Sequence, residues 1–253
     1  MKDYLCSLIS KSFLNFDTAL LEFLCPEIAT SAVPGQFVNV TCSKFLRRPF
    51  GIASVNSDVG TFTIGVRIVG EGTEEIASFE IGDEIFILGP LGNGFKLDDS
   101  EKFILVGGGT GVFPLNFAYE YLSDNGKSMK VVQGFRDKAS IIMNKPDYIL
   151  TTDSGEAGIH GNCCDGLNSL SKEEIEGATI LCVGPIPMMK AVSKWAEEKG
   201  LDCQISMEQR MACGIGICLV CVCKIKAREK GIPFEHKRCC KDGPVFDSKE
   251  VIW

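Results

Sequence analysis

The stretch Met211-Ala-Cys213-Gly-Ile-Gly-Ile-Cys218-Leu-Val-Cys221 decides how the rest of this 253-residue chain is organised. Its cysteines are spaced C-x4-C-x2-C, which is the beginning of the plant-type [2Fe–2S] ligand pattern, and Cys240 can supply a fourth thiolate. Gly214 and Gly216 allow the tight backbone path that turns amide N–H groups toward the sulfides of a cluster. The spacing therefore predicts an iron–sulfur segment near the end of the chain.

The residues alone leave two questions open: whether the thiols bind a cluster or a zinc ion, and which of them are the ligands. A structural zinc site more often has two paired knuckles, C-x2-C followed by C-x2-C, and only one such pair stands before Cys240. The choice of ligands is also open, because Cys223 lies two residues after Cys221 and Cys239 directly precedes Cys240. Strand alternation would place Cys221 and Cys223 on the same face, so the pattern excludes neither.

The composition excludes several classes of protein. A length of 253 residues suits two or three small domains, and 45% hydrophobic with 23% charged residues is typical of packed cores rather than disorder. The net charge of −7 gives no basis for a nucleic-acid or anionic-membrane partner. No apolar run reaches about 18 residues, and the start of the chain lacks the apolar core of a signal peptide. We therefore expect a cytoplasmic protein, where its thirteen cysteines would remain reduced.

Residues 1–98 have the rhythm of an antiparallel barrel or sandwich, with apolar stretches separated by turn residues at short intervals. Leu46-Arg47-Arg48-Pro49-Phe50-Gly51 places adjacent cations at the edge of an apolar strand. Gly70-Glu-Gly72-Thr73 brings a glycine turn and a hydroxyl group to a predicted helix start. Free amides and a nearby arginine form a site for a pyrophosphate, although a surface arginine pair beside a capped helix fits these residues equally well.

Residues 99–205 alternate strands with helical stretches, which indicates a parallel α/β domain. The strand Lys102-Phe-Ile-Leu-Val106 leads into Gly107-Gly-Gly-Thr-Gly111, and a helix is predicted over 112–122. A strand, a glycine loop and a helix together form a nucleotide phosphate site, although the spacing matches neither G-x-G-x-x-G nor a Walker loop. A later strand leads into Gly184-Pro185, a second loop at the edge of the sheet where such folds bind ligands.

In this order, these elements resemble the ferredoxin reductase superfamily and, more closely, the electron-transfer subunits of class B dihydroorotate dehydrogenase. The likeness covers essentially the whole chain. Its most specific parts are Arg210-Met-Ala-Cys213-Gly-Ile-Gly and Cys240-Lys-Asp-Gly-Pro-Val-Phe246, with Arg47-Arg-Pro49 and the glycine loop in support. The resemblance implies an α+β multidomain fold, with an antiparallel β-barrel FAD domain at 1–98, a parallel α/β NAD-binding domain at 99–205 and a small C-terminal [2Fe–2S] domain at 206–253.

The resemblance also implies which residues hold the cofactors FAD, NAD and the [2Fe–2S] cluster. Arg48 is the implied contact of the FAD pyrophosphate, and Cys240 is preferred to Cys239 because it directly precedes Lys-Asp-Gly-Pro-Val-Phe. The implied FAD contacts are Arg48, Pro49, Phe50, Gly51, Gly65, Val66, Arg67, Gly72 and Thr73. The implied nucleotide-loop residues are Gly107, Gly108, Gly109, Thr110, Gly111, Gly184 and Pro185. The implied cluster ligands are Cys213, Cys218, Cys221 and Cys240.

Three positions depart from the superfamily pattern. Gly51 stands where the Arg-Pro motif usually ends in serine, and Val66 stands where an aromatic residue is common. Val183 replaces the cysteine that usually precedes Gly-Pro, while Cys182 lies one place earlier. None of these changes removes a group that hydride transfer strictly needs, because the flavin supplies the chemistry and the protein positions it.

The function implied is an electron relay in pyrimidine biosynthesis. NADH would give a hydride to FAD, and electrons would leave singly through the cluster to a partner FMN-containing dihydroorotate dehydrogenase subunit in a hetero-oligomer. No residue has the pattern of an acid or base acting on dihydroorotate, so we predict no catalytic residue in this chain. NADH is preferred to NADPH on the resemblance, since Arg136 is a single cation at the place for a 2′-phosphate.

Two other functions are compatible with the sequence. One is a related subunit of a ferredoxin-dependent NAD(P) oxidoreductase or sulfide dehydrogenase. The other is a non-enzymatic, zinc-bound interaction module built on a degenerate reductase fold, and the changes at Gly51 and Val183 are of the kind that such decay would leave. The intact glycine loops favour the enzyme.

Overall fold

The computed structural model describes residues 2–227 and 231–253 and begins with a closed antiparallel barrel. The barrel strands are β1 (Lys2–Phe13), β2 (Thr18–Leu24), β3 (Phe37–Val40), β4 (Arg48–Asn56), β5 (Thr61–Arg67) and β6 (Glu84–Leu91). Two short helices lie between them, α1 (Pro26–Ser31) and α2 (Glu71–Ser78). Hydrogen bonds join the strands in the order β1-β2-β5-β4-β3-β6, so the predicted antiparallel barrel is confirmed.

Alternating burial along the strands explains how the barrel packs. In β5, Phe62 and Val66 are fully buried, whereas Gly65 and Arg67 are partly exposed on the other face. Phe62 stacks on Phe23 of β2 inside the barrel, with the ring centroids 5.6 Å apart. Because successive side chains of a strand point to opposite faces, one row fills the interior and the other can meet a ligand.

The second part of the chain builds a seven-stranded sheet covered by helices. The remaining strands are β7 (Lys102–Gly108), β8 (Ser128–Phe135), β9 (Ile149–Thr152), β10 (Ile159–His160), β11 (Thr179–Val183), β12 (Asp202–Ser206), β13 (Val222–Ile225), β14 (Glu235–Arg238) and β15 (Val245–Asp247). The helices are α3 (Val112–Asp124), α4 (Cys163–Asn168), α5 (Lys172–Ile175) and α6 (Ile186–Lys199). The sheet order is β10-β9-β8-β7-β11-β12-β15, and every neighbouring pair is parallel except β12 with β15.

The C-terminal segment leaves this sheet and then returns to it. After β12 the chain forms the cysteine-rich loop and the β13–β14 hairpin, and β15 then pairs with β12, Phe246 opposite Ile205. Strand β12 ends at Ser206, one residue beyond the boundary predicted at 205. The predicted iron–sulfur segment is therefore attached to the nucleotide sheet at both of its ends. The division of the chain at 98 and 205 stays a prediction.

Helix α3 packs its first turn against the barrel and holds the two parts together. Gly65 of β5 faces the ring of Phe113, and a Cβ atom at this glycine would lie 2.1 Å from the ring carbons. One turn later, Asn116 donates from Nδ2 to the carbonyl oxygen of Ala53 at 3.1 Å. Gly65 has no side chain, so the helix can approach the barrel backbone closely at this position.

The helices are short. The longest one in residues 2–227 and 231–253, α6, has 14 residues, and a bilayer span needs about 20 apolar residues. None of the helices in these ranges combines the length and the apolar character needed to cross a membrane.

We predict that Gly65→Ala lowers the thermal stability of the protein, because its new methyl group collides with the Phe113 ring. Overpacking of this kind costs about 1–3 kcal/mol, and each kcal/mol lowers Tm by about 2–4 °C in a chain of this size. The measurement is Tm of the flavin-free protein by calorimetry. Gly70→Ala is the matched control, since an added Cβ there meets no atom within 4 Å. Equal Tm values for the two variants would contradict the assigned contact.

Candidate functional site

A cleft of about 470 Å³ lies between the barrel and the sheet, and most of the predicted flavin residues line it. The barrel contributes Arg48, Pro49, Phe50, Gly51, Gly65, Arg67 and Thr73. The sheet side contributes Thr110, Phe113, Pro114 and Val183. Largely apolar walls with two arginines suit a flat ring system that carries a phosphate chain.

Val66 and Gly72 are the predicted flavin residues that do not line this cleft. Val66 points into the barrel interior and is 0% exposed, so only its backbone can meet a ligand on the outer face of β5. Gly72 lies beneath Arg48: a Cβ on this glycine would stand 2.6 Å from the guanidinium group. The glycine therefore acts by making room for the arginine.

Arg48 lies across the beginning of α2, where the backbone amides of the helix are free. Thr73 Oγ1 accepts hydrogen bonds from the N–H groups of Val69 and Gly70 at 2.9 and 3.1 Å, and these bonds fix the turn before the helix. Among the residues that the structure describes, the Arg48 guanidinium makes one hydrogen bond, to the backbone carbonyl of Leu46, and retains further donors for an anion. A guanidinium group beside a helix N-terminus is a strong site for phosphate oxygens.

Close packing explains the departure at Gly51. A Cβ atom on this residue would lie 3.1 Å from the Cβ of Pro114 in the first turn of α3. Pro114 would have to give way by a few tenths of an ångström to admit a side chain here. The glycine is therefore matched to the helix that packs on it.

A second cavity, of about 260 Å³, opens at the carboxyl ends of the parallel strands. Gly108, Gly109, Thr110 and Pro185 line it. The glycine loop makes one 3₁₀ turn between β7 and α3, and Gly109 has φ of 54°, in the left-handed region that glycine adopts readily. This is the edge of a parallel sheet where α/β folds bind nucleotides.

Three predicted loop glycines support this cavity without lining it. A Cβ on Gly111 would lie 2.2 Å from the carbonyl oxygen of Val183 in the neighbouring strand. A Cβ on Gly107 would lie 3.0 Å from the side chain of Val112 in α3, and one on Gly184 would lie 2.6 Å from the side chain of Met188 in α6. Their small size lets the loops and helices pack closely around the cavity.

The two cavities meet at Arg67 and Thr110, which line both of them. A nucleotide on the glycine loop therefore lies next to whatever fills the cleft. The second cavity also has lining residues that sequence reasoning missed, because they come from the β1–β2 turn and from helices α4 and α6. These residues are Asn15, Phe16, Asp17, Thr18, Asn162, Cys163 and Met188.

Sequence reasoning also missed the loop that follows β12. This loop lines the cleft with Ser206, Met207, Glu208, Gln209 and Met211. The one signal for it was its place at the carboxyl end of a parallel strand, where ligands bind in such folds. Since Met211 stands two residues before Cys213, the cleft and the cysteine-rich loop are contiguous.

The four predicted cluster thiols occur as two pairs. In each pair, Cys213 with Cys218 and Cys221 with Cys240, the backbone N–H of the later cysteine donates to the sulfur of the earlier one. The Cys213 sulfur accepts the backbone N–H groups of Ile215 and Cys218 at 3.4 and 3.5 Å. The Cys221 sulfur accepts the N–H of Cys240 at 3.4 Å. Amide groups directed at a sulfur atom stabilise its thiolate form.

The donor set, four thiols in two pairs, fits an iron–sulfur cluster. Burial opposes ionisation of Cys213, but the hydrogen bonds from Cys218 and Ile215 outweigh it and lower the pKa of Cys213 to about 6. Two separate pairs match two iron atoms, each taking two thiolates of a Cys₄ set.

The two competing thiols are hydrogen-bonded to backbone carbonyl groups instead. Cys223 donates to the oxygen of Lys237 at 3.5 Å, and Cys239 donates to the oxygen of Met207 at 3.6 Å. We therefore propose Cys213, Cys218, Cys221 and Cys240 as the cluster ligands.

A barrel, a nucleotide-binding sheet and a cysteine-rich loop that share one cleft define a ferredoxin reductase-type flavoprotein with an iron–sulfur segment. The chain matches the family model for the oxidoreductase FAD-binding domain over residues 5–95. It matches the model for the iron–sulfur cluster binding domain of dihydroorotate dehydrogenase B over residues 208–252.

Relatives with the same domains identify the family. The chain is 36% identical over 248 residues to the dihydroorotate dehydrogenase B (NAD(+)), electron transfer subunit, of Desulforamulus reducens, covering 94% of this chain and 93% of that one. It is 39% identical over 225 residues to the same subunit of Clostridium perfringens, covering 86% of each. The chain belongs to the family of dihydroorotate dehydrogenase B electron transfer subunits.

Solved structures show the same fold. The structure described as NADH-dependent reduced ferredoxin-NADP oxidoreductase superposes with a TM-score of 0.87 and 30% identity, over 99% of this chain and 90% of that one. Phthalate dioxygenase reductase superposes with a TM-score of 0.63 and 17% identity, over 94% and 77%. The second likeness is one of fold alone.

We predict that Cys→Ser at 213, 218, 221 or 240 abolishes cluster assembly, because each change removes one of the four paired sulfurs. Cys223→Ser and Cys239→Ser are the matched controls. Their hydroxyl groups can donate to the same carbonyls, so both variants should keep the cluster. Iron and acid-labile sulfide per protein are assayed for all six variants. Full retention in Cys240→Ser with loss in Cys239→Ser would reverse the choice of the fourth ligand.

We also predict that Arg48→Ala weakens FAD binding about tenfold or more, because a charge-assisted contact to pyrophosphate is worth about 1.5–3 kcal/mol. The measurement is the FAD dissociation constant after removal and re-addition of flavin. Arg47→Ala is the control, since Arg47 pairs with Asp3 outside the cleft and exposed pairs contribute about 0–1 kcal/mol. An unchanged constant in Arg48→Ala would disprove the role given to this arginine.

Proposed function

We propose that this chain carries electrons between NADH and a separate dihydroorotate dehydrogenase subunit, through FAD and a [2Fe–2S] cluster. The observation that supports this most is the contiguity of three sites. The nucleotide cavity shares Arg67 and Thr110 with the cleft, and the cleft continues through Met211 to the cysteine-rich loop. FAD supplies the exchange between two-electron hydride chemistry and one-electron transfer.

The side chains of this protein bind and orient the cofactors. Arg48 and the free amides of α2 hold the FAD pyrophosphate, and Gly51 and Gly65 leave the barrel strands flat beneath α3. The glycine loop offers its amides to a phosphate of NADH. The buried Met207 contributes an apolar side chain to the wall of the cleft. The bound FAD would supply the hydride chemistry, so these residues need not act as acid or base.

The partner we propose is an FMN-containing catalytic subunit, bound at the tip of the cysteine-rich loop in a hetero-oligomer. Ile217, Leu219 and Val220 are 76%, 61% and 52% exposed there, around the exposed Cys218. Apolar side chains exposed together are typical of a protein interface. A partner docked on this tip would lie next to the cluster. The relatives' name, electron transfer subunit, supports a catalytic subunit on a separate chain.

We propose a reducing cytoplasm as the place of action and pyrimidine biosynthesis as the process served. All thirteen cysteines are free thiols, and such thiols persist where the compartment is reducing. We also keep the three-part division into an FAD barrel at 1–98, an NAD domain at 99–205 and a cluster domain at 206–253 as a proposal.

A second candidate function is a subunit of an NADH-dependent reduced ferredoxin-NADP oxidoreductase, which the superposition with a TM-score of 0.87 favours. The two functions differ in the partner that exchanges electrons with the cluster. The test is co-purification from the native host, followed by two assays on the isolated complex. Reduction of NAD⁺ by dihydroorotate supports the first function, and oxidation of reduced ferredoxin by NADP⁺ supports the second.

A cluster-free variant separates a relay from a terminal enzyme. We predict that Cys240→Ser with full FAD content still reduces an artificial dye with NADH, because flavin can reduce dyes directly. The same preparation should fail to couple NADH to the partner, since that route needs a one-electron carrier between the two flavins. Both rates are measured after flavin content has been checked. Partner coupling at the unmodified rate would show that the cluster is structural.

A further inference from the structure

We propose that the side-chain amide of Asn39, in the wall of the flavin barrel, donates a hydrogen bond to a sulfur atom of the iron–sulfur cluster and thereby raises the reduction potential of the cluster. The inference rests on the proposed cluster ligands, because it takes Cys213 to bind the cluster. It gives a role in electron transfer to a barrel residue that lies outside the cysteine-rich segment.

Asn39 is a polar residue in a fully covered part of the barrel. It is the third residue of β3, all four of which are buried, and it is 1% exposed. Val38 and Val40 belong to the core inside the barrel, so strand alternation turns Asn39 to the outer face. Phe37 shares that face and lines the cleft. The outer row of β3 therefore begins at the cleft and continues to Asn39.

The cysteine-rich loop covers Asn39 at Gly214. A Cβ atom on this glycine would lie 1.9 Å from Nδ2 of Asn39, so only a residue without a side chain fits between the loop and the amide. Gly214 follows Cys213 directly and has φ of 68°. It is the middle residue of the turn in which the N–H of Ile215 donates to the Cys213 sulfur at 3.4 Å. The amide nitrogen of Asn39 therefore contacts the turn that wraps the first cluster thiol.

The barrel does not satisfy this amide. Within residues 2–227 and 231–253, Oδ1 of Asn39 has no hydrogen-bond partner. The residues opposite Asn39 on the two neighbouring strands are Pro49 and Leu88, whose side chains are apolar. A buried amide without its hydrogen bonds costs free energy, whereas a leucine would pack in such a place without that cost. An amide here is explained by a ligand at the loop, and cluster sulfur atoms are negatively charged acceptors of N–H groups.

The charge of the cluster decides the direction of the expected effect. An added electron makes the sulfur atoms more negative, so a hydrogen bond to them is stronger in the reduced cluster and raises its reduction potential. The backbone donors to the Cys213 sulfur belong to the loop itself and remain when a barrel residue is replaced. Removing the Asn39 amide should therefore lower the potential and make the cluster a weaker acceptor of electrons from the flavin.

The test is the midpoint potential of the cluster in the protein loaded with FAD and cluster, from a redox titration followed by electron paramagnetic resonance. Asn39→Leu should disfavour reduction about threefold or more, a shift of about −28 mV, since tenfold is about 59 mV for one electron. Leu91→Met is the matched control. Leu91 also packs at Gly214, 3.5 Å from the position of a Cβ, but it has no N–H to lose, and the exchange conserves volume. Its shift should stay below about 1.5-fold, or about 10 mV.

A second variant keeps the shape of the side chain. Asn39→Asp replaces the donor with a negative acceptor and should lower the potential further than Asn39→Leu. An unchanged or higher potential in either variant would overturn the proposal, and so would an equal shift in Leu91→Met. Loss of the cluster from both variants would also overturn it, because the proposed donor is not a ligand. Failure of the ligand assignment is distinguishable, since Cys213→Ser would then retain iron and sulfide.

Discussion

Both cavities depend on the close packing of helix α3 against two glycines of the barrel. Phe113 and Pro114 rest on Gly65 and Gly51, so the first turn of the helix sits almost directly on two barrel strands. The same helix begins at the glycine loop, and its position therefore sets that of the nucleotide cavity relative to the cleft. A larger residue at Gly65 would push Phe113 and its helix away from the barrel and widen the path between the two cavities. The change from serine to glycine at position 51 is thus part of the packing of this interface.

The cysteine-rich loop is coupled to the same framework through the edge of the sheet. Strand β12 leads directly into the loop that walls the cleft, and β15 returns to pair with β12 after the cluster thiols have been passed. The cluster segment is consequently held by hydrogen bonds at both ends. Movement of this segment would disturb the wall of the flavin cleft, so the cleft and the cluster are fixed with respect to each other by the strand that they share.

Sequence reasoning succeeded where the chemistry is local and failed where it depends on contacts distant along the chain. The cysteine spacing and the strand, glycine loop and helix from 102 to 122 are each contained in one short segment, and the structure has the helix over Val112–Asp124. Asp17 and Arg67 lie 50 residues apart, and their pairing depends on the register between β2 and β5. The wall formed by 206–211 had only one signal, its place at the carboxyl end of a parallel strand, and its contact with the barrel side of the cleft joins segments far apart in the chain. Val66 was named with its strand neighbours, although strand alternation turns its side chain into the barrel core.

The cysteine-rich loop has one open and one closed end, and this has a consequence for how the protein matures. Cys218 is exposed at the tip, whereas Cys221 and Cys240 are buried against the β13–β14 hairpin. Iron and sulfide delivered by an assembly machinery can therefore reach a folded chain from the tip side. A subunit docked on that tip would close the route. Cofactor insertion would then have to precede formation of the proposed complex.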